Sequence, residues 1–252
     1  MTKLCFILGD QLCEELSSLQ AINKNEDLVF MCEVAAETSY VPHHPKKIAF
    51  LFSAMRHFAQ QLENKGYRVR YTKLNEPENQ GNFCDELLRI ISEEKIQTIY
   101  LTEPGEWRVL KLFEDLKNRL AIPLTICEDK RFLCTTQQFK QWAKNKKNLR
   151  MEFFYRMMRQ QYQLLMDENN QPLGGSWNYD QMNRKNAKLI DGFPSRITHP
   201  QDEITQEVLA LVEQQFTQHF GQLHPFNFAV TREQALVEAH YFIDYCLPAF
   251  GD

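Results

Sequence analysis

Short apolar runs separated by amphipathic stretches of helical length are the feature that most constrains this chain. Leu4 to Leu8, Leu28 to Cys32, Arg68 to Tyr71, Thr98 to Leu101 and Leu124 to Cys127 are runs of apolar or β-prone residues. Each is the length of a buried strand. Between the second and third, Lys47 to Lys65 carries Ile48, Leu51, Phe52, Met55, Phe58, Ala59 and Leu62 on one helical face, and Gly66 follows as a C-terminal stop. Phe83 to Glu94 and Trp107 to Leu120 repeat the pattern. Parallel neighbours cannot be joined by a tight turn and need a crossover, so strands alternating with helices predict a doubly wound, parallel five-stranded α/β sheet over residues 1–130. Ligands of such sheets sit outside the carboxyl ends of the strands, near the point where strand order reverses.

Beyond residue 130 the strand signal stops. Helices are expected over Thr136 to Lys144, Arg150 to Leu165, Glu203 to Phe220 and Thr231 to Leu247, with Thr231 as N-cap and Gln234 as its reciprocal partner. Asp167 to Gly175 is a turn-rich loop. The last residues, Phe242 to Asp252, read as an apolar and aromatic helix with no polar tail. This second part is therefore expected to be an incomplete all-helical region. Residues 131–200 form a linker with helices, and residues 201–252 are the first helices of a truncated domain whose apolar end favours self-association.

The net charge of −4 excludes a globally basic, nucleic-acid-coating protein, so any basic surface must be local. Seven cysteines without a C-x-x-C pair or Cys/His clustering read as reduced thiols of a cytoplasmic protein, with no metal site. The absence of any run of eighteen apolar residues predicts no membrane span. No residue is assigned a catalytic role.

Polar residues gather where strands are expected to end. Gly9-Asp10-Gln11 follows the first strand and reads equally as a tight turn or as a ligand loop. It lacks the glycine patterns of dinucleotide and triphosphate sites. The second strand runs into Glu33, Glu37, Tyr40, His43 and His44, the densest polar constellation in the chain. Adjacent histidines diverge in an extended segment and no third ligand follows, which argues against a metal. A binding loop in which Glu37 hydrogen-bonds a flat heterocycle and Tyr40 covers it needs fewer assumptions. Glu103-Pro104-Gly105-Glu106 follows the fourth strand, and Glu106 can equally serve the N-terminus of the next helix. Lys140, Lys144, Lys146, Lys147, Arg150, Arg156 and Arg159 interleave with Trp142, Phe153, Phe154 and Tyr155, a pattern read as a solvated helix face in preference to a nucleic-acid surface.

Taken in order, Leu8-Gly-Asp-Gln-Leu12, Glu33-Val34 with Glu37 and Tyr40-Val41, Ala54-Met-Arg-His57, Glu103-Pro-Gly-Glu-Trp-Arg108, Glu128-Asp129 with Arg131-Phe-Leu133, Arg150-Met-Glu152 with Phe154-Tyr-Arg156, and Gly174-Gly175 with Trp177-Asn178 and Asp180 resemble one family. It is the deoxyribodipyrimidine photolyase-related group, also called iron–sulfur bacterial cryptochromes and photolyases. The resemblance implies a Rossmann-like amino-terminal domain holding a dimethyl-ribityl-lumazine antenna. A helical domain with FAD and a four-cysteine iron–sulfur cluster would follow in a full-length parent that repairs damaged DNA or senses blue light. It implies Gly9, Asp10, Gln11, Glu33, Glu37, Tyr40 and Glu103 as neighbours of the lumazine. The rival expectation is a cofactor-free, nucleotide-binding-like signalling or interaction module that acts through a protein partner.

Overall fold

The structure, a computed structural model, describes residues 2–181 and 194–249. Among these residues five strands, β1 (Lys3–Phe6), β2 (Leu28–Cys32), β3 (Arg68–Thr72), β4 (Thr98–Thr102) and β5 (Leu124–Cys127), form one sheet in the order β3-β2-β1-β4-β5. All pairings are parallel. Leu4 lies opposite both Leu28 and Ile99, so β1 is the central strand. The order reverses at β1: successive connections run to one side through β2 and β3, then cross to β4 and β5. The carboxyl ends of β1 and β4 therefore flank the crevice where this architecture places ligands.

Alternation along the strands feeds two cores. Leu4, Phe6, Leu28 and Phe30 point to one face, where they meet α4 (Phe83–Glu93) and α5 (Trp107–Lys117) through Phe83, Leu87, Ile90, Val109 and Phe113. Phe6 stacks on Phe30 at 5.2 Å and meets Phe113 edge-on at 5.7 Å. Cys5, Ile7, Val29 and Met31 point to the other face, against α1 (Ser17–Gln20) and α3 (Pro45–Asn64). Helix α3 forms because its apolar residues recur every three to four positions. It begins at Pro45, where a missing N–H costs nothing, and the chain turns at Gly66 with φ of +85°.

A further helix completes this second face. Val208, Leu209, Leu211 and Val212 of α8 (Glu203–Gln215) are buried in the same core as Phe52, Phe58 and Leu62 of α3. Residues 197–238 consequently belong to one compact unit with residues 1–131. The amphipathic pattern of α8 shows that one of its faces is buried, and the face it covers here is that of α3. Asp202 caps α8 by accepting from the Thr205 N–H at 2.9 Å, and its carboxylate also meets Nε2 of His57 at 2.5 Å.

The second unit comprises residues 132–196 and 239–252. It holds α6 (Thr136–Ala143), opened by a Thr135/Gln138 capping box, and α7 (Met151–Tyr162). Phe139, Trp142 and Phe154 pack their rings together, and Lys146 lies 3.7 Å over Trp142. The expected Thr231/Gln234 cap is present at the start of α9 (Arg232–Tyr241), which passes into a π-helical turn at Phe242–Cys246 and a 3-10 turn at Leu247–Ala249. Residues 182–193 of the expected linker and the last three residues of the expected terminal helix lie outside the described residues. Among the described residues no helix is long and apolar enough to cross a membrane.

Candidate functional site

A cavity of about 280 Å³ opens at the carboxyl ends of β1, β2 and β4. That is the small end of the range for small-molecule sites and suits a bicyclic ring. Leu51, Phe52 and Met55 from α3 and Phe83 and Val109 from the opposite helices supply apolar walls. Gly9, Asp10, Glu33, Glu37 and Tyr40 all line it, so five residues expected near a ligand come together.

A Cβ on Gly9 would stand 2.9 Å from Sδ of Met55, so a larger residue there would need the flexible Met55 side chain to shift in the cavity wall. Asp10 follows with its carboxyl open to the cavity. Crowding by the surrounding walls pushes its pKa up, and the Arg131 guanidinium only partly opposes this. Arg131 also donates from Nη1 to the Asp10 carbonyl at 2.9 Å, fixing the turn from the segment after β5.

Gln11 and Glu103, also expected at the ligand, do not line the cavity. Gln11 is fully buried and faces β4, where its amide donates to the Thr102 and Glu103 carbonyls at 2.9 and 3.3 Å. It thus clips the β1 turn to the end of β4. Glu103 takes part through its backbone, donating from its N–H to the Cys127 carbonyl at 2.8 Å.

Glu33 touches the cavity but its charge is already spent on the fold. The carboxylate accepts from Arg56 Nε at 2.7 Å, Arg56 Nη2 at 3.1 Å, the Tyr71 hydroxyl at 2.8 Å and the Leu74 N–H at 2.8 Å. Burial would lower the pKa of Arg56, but the bonds to Glu33 outweigh it and the net shift is upward. Burial, with Glu33 beside it, raises the Tyr71 phenol well above its ordinary range. Arg56 also reaches Glu207 of α8 at 3.1 Å.

The mouth is polar. Glu37 lies in α2 (Ala35–Ser39), a short helix where the sequence suggests only a loop. Its carboxylate receives both arms of Arg108, at 3.0 and 2.6 Å. Arg108 also donates to Glu106 at 3.0 Å and lies 4.3 Å from the Tyr40 ring centroid. His43 meets the Tyr40 ring edge-on at 5.1 Å and the Lys47 ammonium at 3.2 Å. Burial and the nearby Lys47 lower the His43 pKa. Reading the sequence missed the part played by Arg108, because nothing in the chain order signals a pairing with a carboxylate 71 positions earlier. It marked Leu51, Phe52 and Met55 as part of one apolar helical face, and that face is shared between core and cavity.

A larger hollow of about 780 Å³ lies against α3 beside Phe50, His57, Gln61 and Thr231. Several of its polar groups already have partners: Glu14 accepts from Gln61 and Lys65 at 2.6 Å, and His57 meets Asp202. The smaller cavity has the better claim as a ligand site. Among the described residues no group of three or more His, Cys, Asp or Glu is placed to hold a metal ion.

The family model described as deoxyribodipyrimidine photo-lyase-related protein matches residues 5–228. The chain belongs to this family. It is 45% identical over 251 residues to a (6-4) photolyase of Agrobacterium fabrum (strain C58 / ATCC 33970), an alignment covering 100% of this chain and 49% of that protein. The chain thus spans about half the length of this photolyase. An uncharacterized protein of Acanthamoeba polyphaga mimivirus is 28% identical over 145 residues, 55% of this chain and 70% of that protein. The photolyase-related match runs from within β1 through β5 and includes the cavity and α8.

Proposed function

We propose that the α/β unit holds a lumazine antenna, dimethyl-ribityl-lumazine, in the cavity at the carboxyl ends of β1, β2 and β4. The parent protein would be a light-driven DNA-repair or blue-light-sensing flavoprotein. The observation that carries this reading is the joint placement of Gly9, Asp10, Glu37 and Tyr40 around one small, apolar-walled cavity at the switch point of the sheet. The residues fit the group. Phe52, Met55, Phe83 and Val109 can enclose a flat ring, and Asp10, Glu37 and Glu106 can accept from ring and ribityl donors.

The chemistry supplied by a bound lumazine is absorption of near-ultraviolet light and transfer of the excitation to FAD. The chain's own residues bind and orient. Gly9 keeps the floor open, Glu37 presents its carboxylate on α2, and Tyr40 covers the mouth. FAD and an iron–sulfur cluster belong, in this reading, to a carboxyl-terminal half of the parent, with damaged DNA as the substrate; the 45% identity to a protein named a (6-4) photolyase supports that assignment. No residue of this chain is given a catalytic role.

Absorption and emission spectra of the protein expressed with lumazine test the reading. A near-ultraviolet band with lumazine-like emission is expected, and Glu37→Ala should weaken binding roughly tenfold or more through loss of a charge-assisted hydrogen bond. A folded protein that binds added lumazine no tighter than about 1 mM would sink the proposal.

A further inference from the structure

We infer that Arg108 is the positioning residue of this cavity: by forking onto Glu37 and lying against Tyr40 it holds the mouth in a ligand-ready arrangement and controls how fast a ligand leaves. The inference rests on the proposed heterocycle site and adds to it a residue that does not itself line the cavity.

Three mouth residues converge on Arg108. One guanidinium arm goes to Glu37 Oε1 at 3.0 Å; the other reaches Glu37 Oε2 at 2.6 Å and Glu106 Oε2 at 3.0 Å. Its plane stands 4.3 Å from the Tyr40 centroid, and the Tyr40 hydroxyl turns toward Glu106 Oε1 at 3.4 Å. Tyr40 in turn meets His43, the fourth residue of the rim. Glu37 and Tyr40 arise from the segment after β2, while Glu106 and Arg108 arise from the segment after β4. The contacts therefore span the crevice from one side to the other, where a ligand must pass.

The fork does two things that a lysine could not. It fixes the orientation of the Glu37 carboxylate in two directions, and it offers a flat cationic face on which the Tyr40 ring rests. Tyr40 is otherwise half exposed just past the end of a five-residue helix, which has little stability of its own. Hydrogen bonding to Glu37 raises the Arg108 pKa, so the guanidinium is charged at every working pH. Opening the mouth requires breaking the Glu37 fork and the Tyr40 contact together. For a partly exposed pair their joint loss corresponds to roughly three- to thirtyfold in a rate.

The test uses the full chain with 6,7-dimethyl-8-ribityllumazine as probe, followed by stopped-flow fluorescence, with Arg108→Ala and Arg108→Lys beside the unaltered protein. Circular dichroism melts establish that each variant folds. Arg108→Ala is expected to release lumazine at least about threefold faster, and association, which passes the same mouth, to quicken with it. Arg108→Lys should behave like the alanine variant, because it keeps charge but loses the fork and the stacking face. Adding Arg108→Ala to Glu37→Gln should change the release rate little beyond Glu37→Gln alone. Equal release rates for Arg108→Ala and the unaltered protein would overturn the inference while leaving the ligand site standing. Full rescue by lysine would overturn it too, by reducing the role of Arg108 to bare charge. Failure of the unaltered protein to bind lumazine would remove the ligand site and the inference with it.

Discussion

Replacing Glu33 with Gln tests whether this residue serves the fold or the ligand. The carboxylate is 0% exposed and the Arg56 side chain 5% exposed, so the pair is effectively out of water. Gln keeps the shape and one acceptor oxygen but puts an amide N–H where Arg56 or the Leu74 N–H now donates, leaving a buried cation without its anion. Breaking a buried pair in this way costs about 3–5 kcal/mol. Glu207 at 3.1 Å can take up part of the Arg56 charge, but it is half exposed and its help is weak, which places the expected loss near the lower bound, about 3 kcal/mol. For a unit of this size each kcal/mol lowers Tm by about 2–4 °C, giving an expected drop of about 6–12 °C. Melts followed by circular dichroism, with a urea titration to give the free energy, measure it directly. Adding Arg56→Met should recover part of the loss, since the unpaired cation goes with it. A drop below about 2 °C, or a double variant less stable than the single one, would refute the assignment of Glu33 to a structural charge pair.

Two further outcomes follow from the charged groups around α8 and the cavity. Asp10→Asn should stabilise the folded protein at pH 7 and progressively less in acid: the raised pKa of Asp10 means that its charged form is disfavoured on folding, a cost present above its folded pKa and absent once both states are protonated. Melts at pH 7 and pH 4 showing an equal gain, or none, would contradict this. Asp202→Ala should lose about 1–2 kcal/mol by removing the cap of α8 and its bond to His57. Burial opposes the Asp202 charge, but the His57 and Thr205 bonds prevail and hold the carboxyl below its ordinary range. Its contribution is therefore present above the ordinary aspartate pKa and lost as pH falls through the depressed one, so the two proteins should converge in strong acid. Stability curves that stay parallel would argue against it.

The parts of the fold that the sequence made legible are those written in local periodicity. Strands β2 and β5 fall where their apolar runs place them, and the end of α3 follows from Gly66, while its start, expected at Lys47, lies two residues earlier at Pro45. Helices α1 and α2, of four and five residues, are shorter than the window over which a helical period can be recognised. The position of α8 was illegible for a different reason. Val208 and Val212 mark a buried face, but what buries it is α3, about 150 residues earlier. The candidate site shows the same division. Carboxylates at strand ends were visible as candidates, yet whether such a group faces a ligand or a buried arginine depends on partners distant in the chain. Glu33 and Glu37, four positions apart, both ended in arginine pairs, one sealed inside and one at the rim.

The burial of α8 against α3 determines where this molecule can be divided. A fragment ending at residue 131 would retain every strand and all of the residues that line the cavity. It would also lay bare Phe52, Phe58 and Leu62, which α8 helps to cover, and withdraw Glu207 from Arg56 and Lys73. Moving the cavity to another protein, or preparing it in isolation, calls for two pieces of chain, residues 1–131 and 197–238, joined by a short bridge in place of the residues between them.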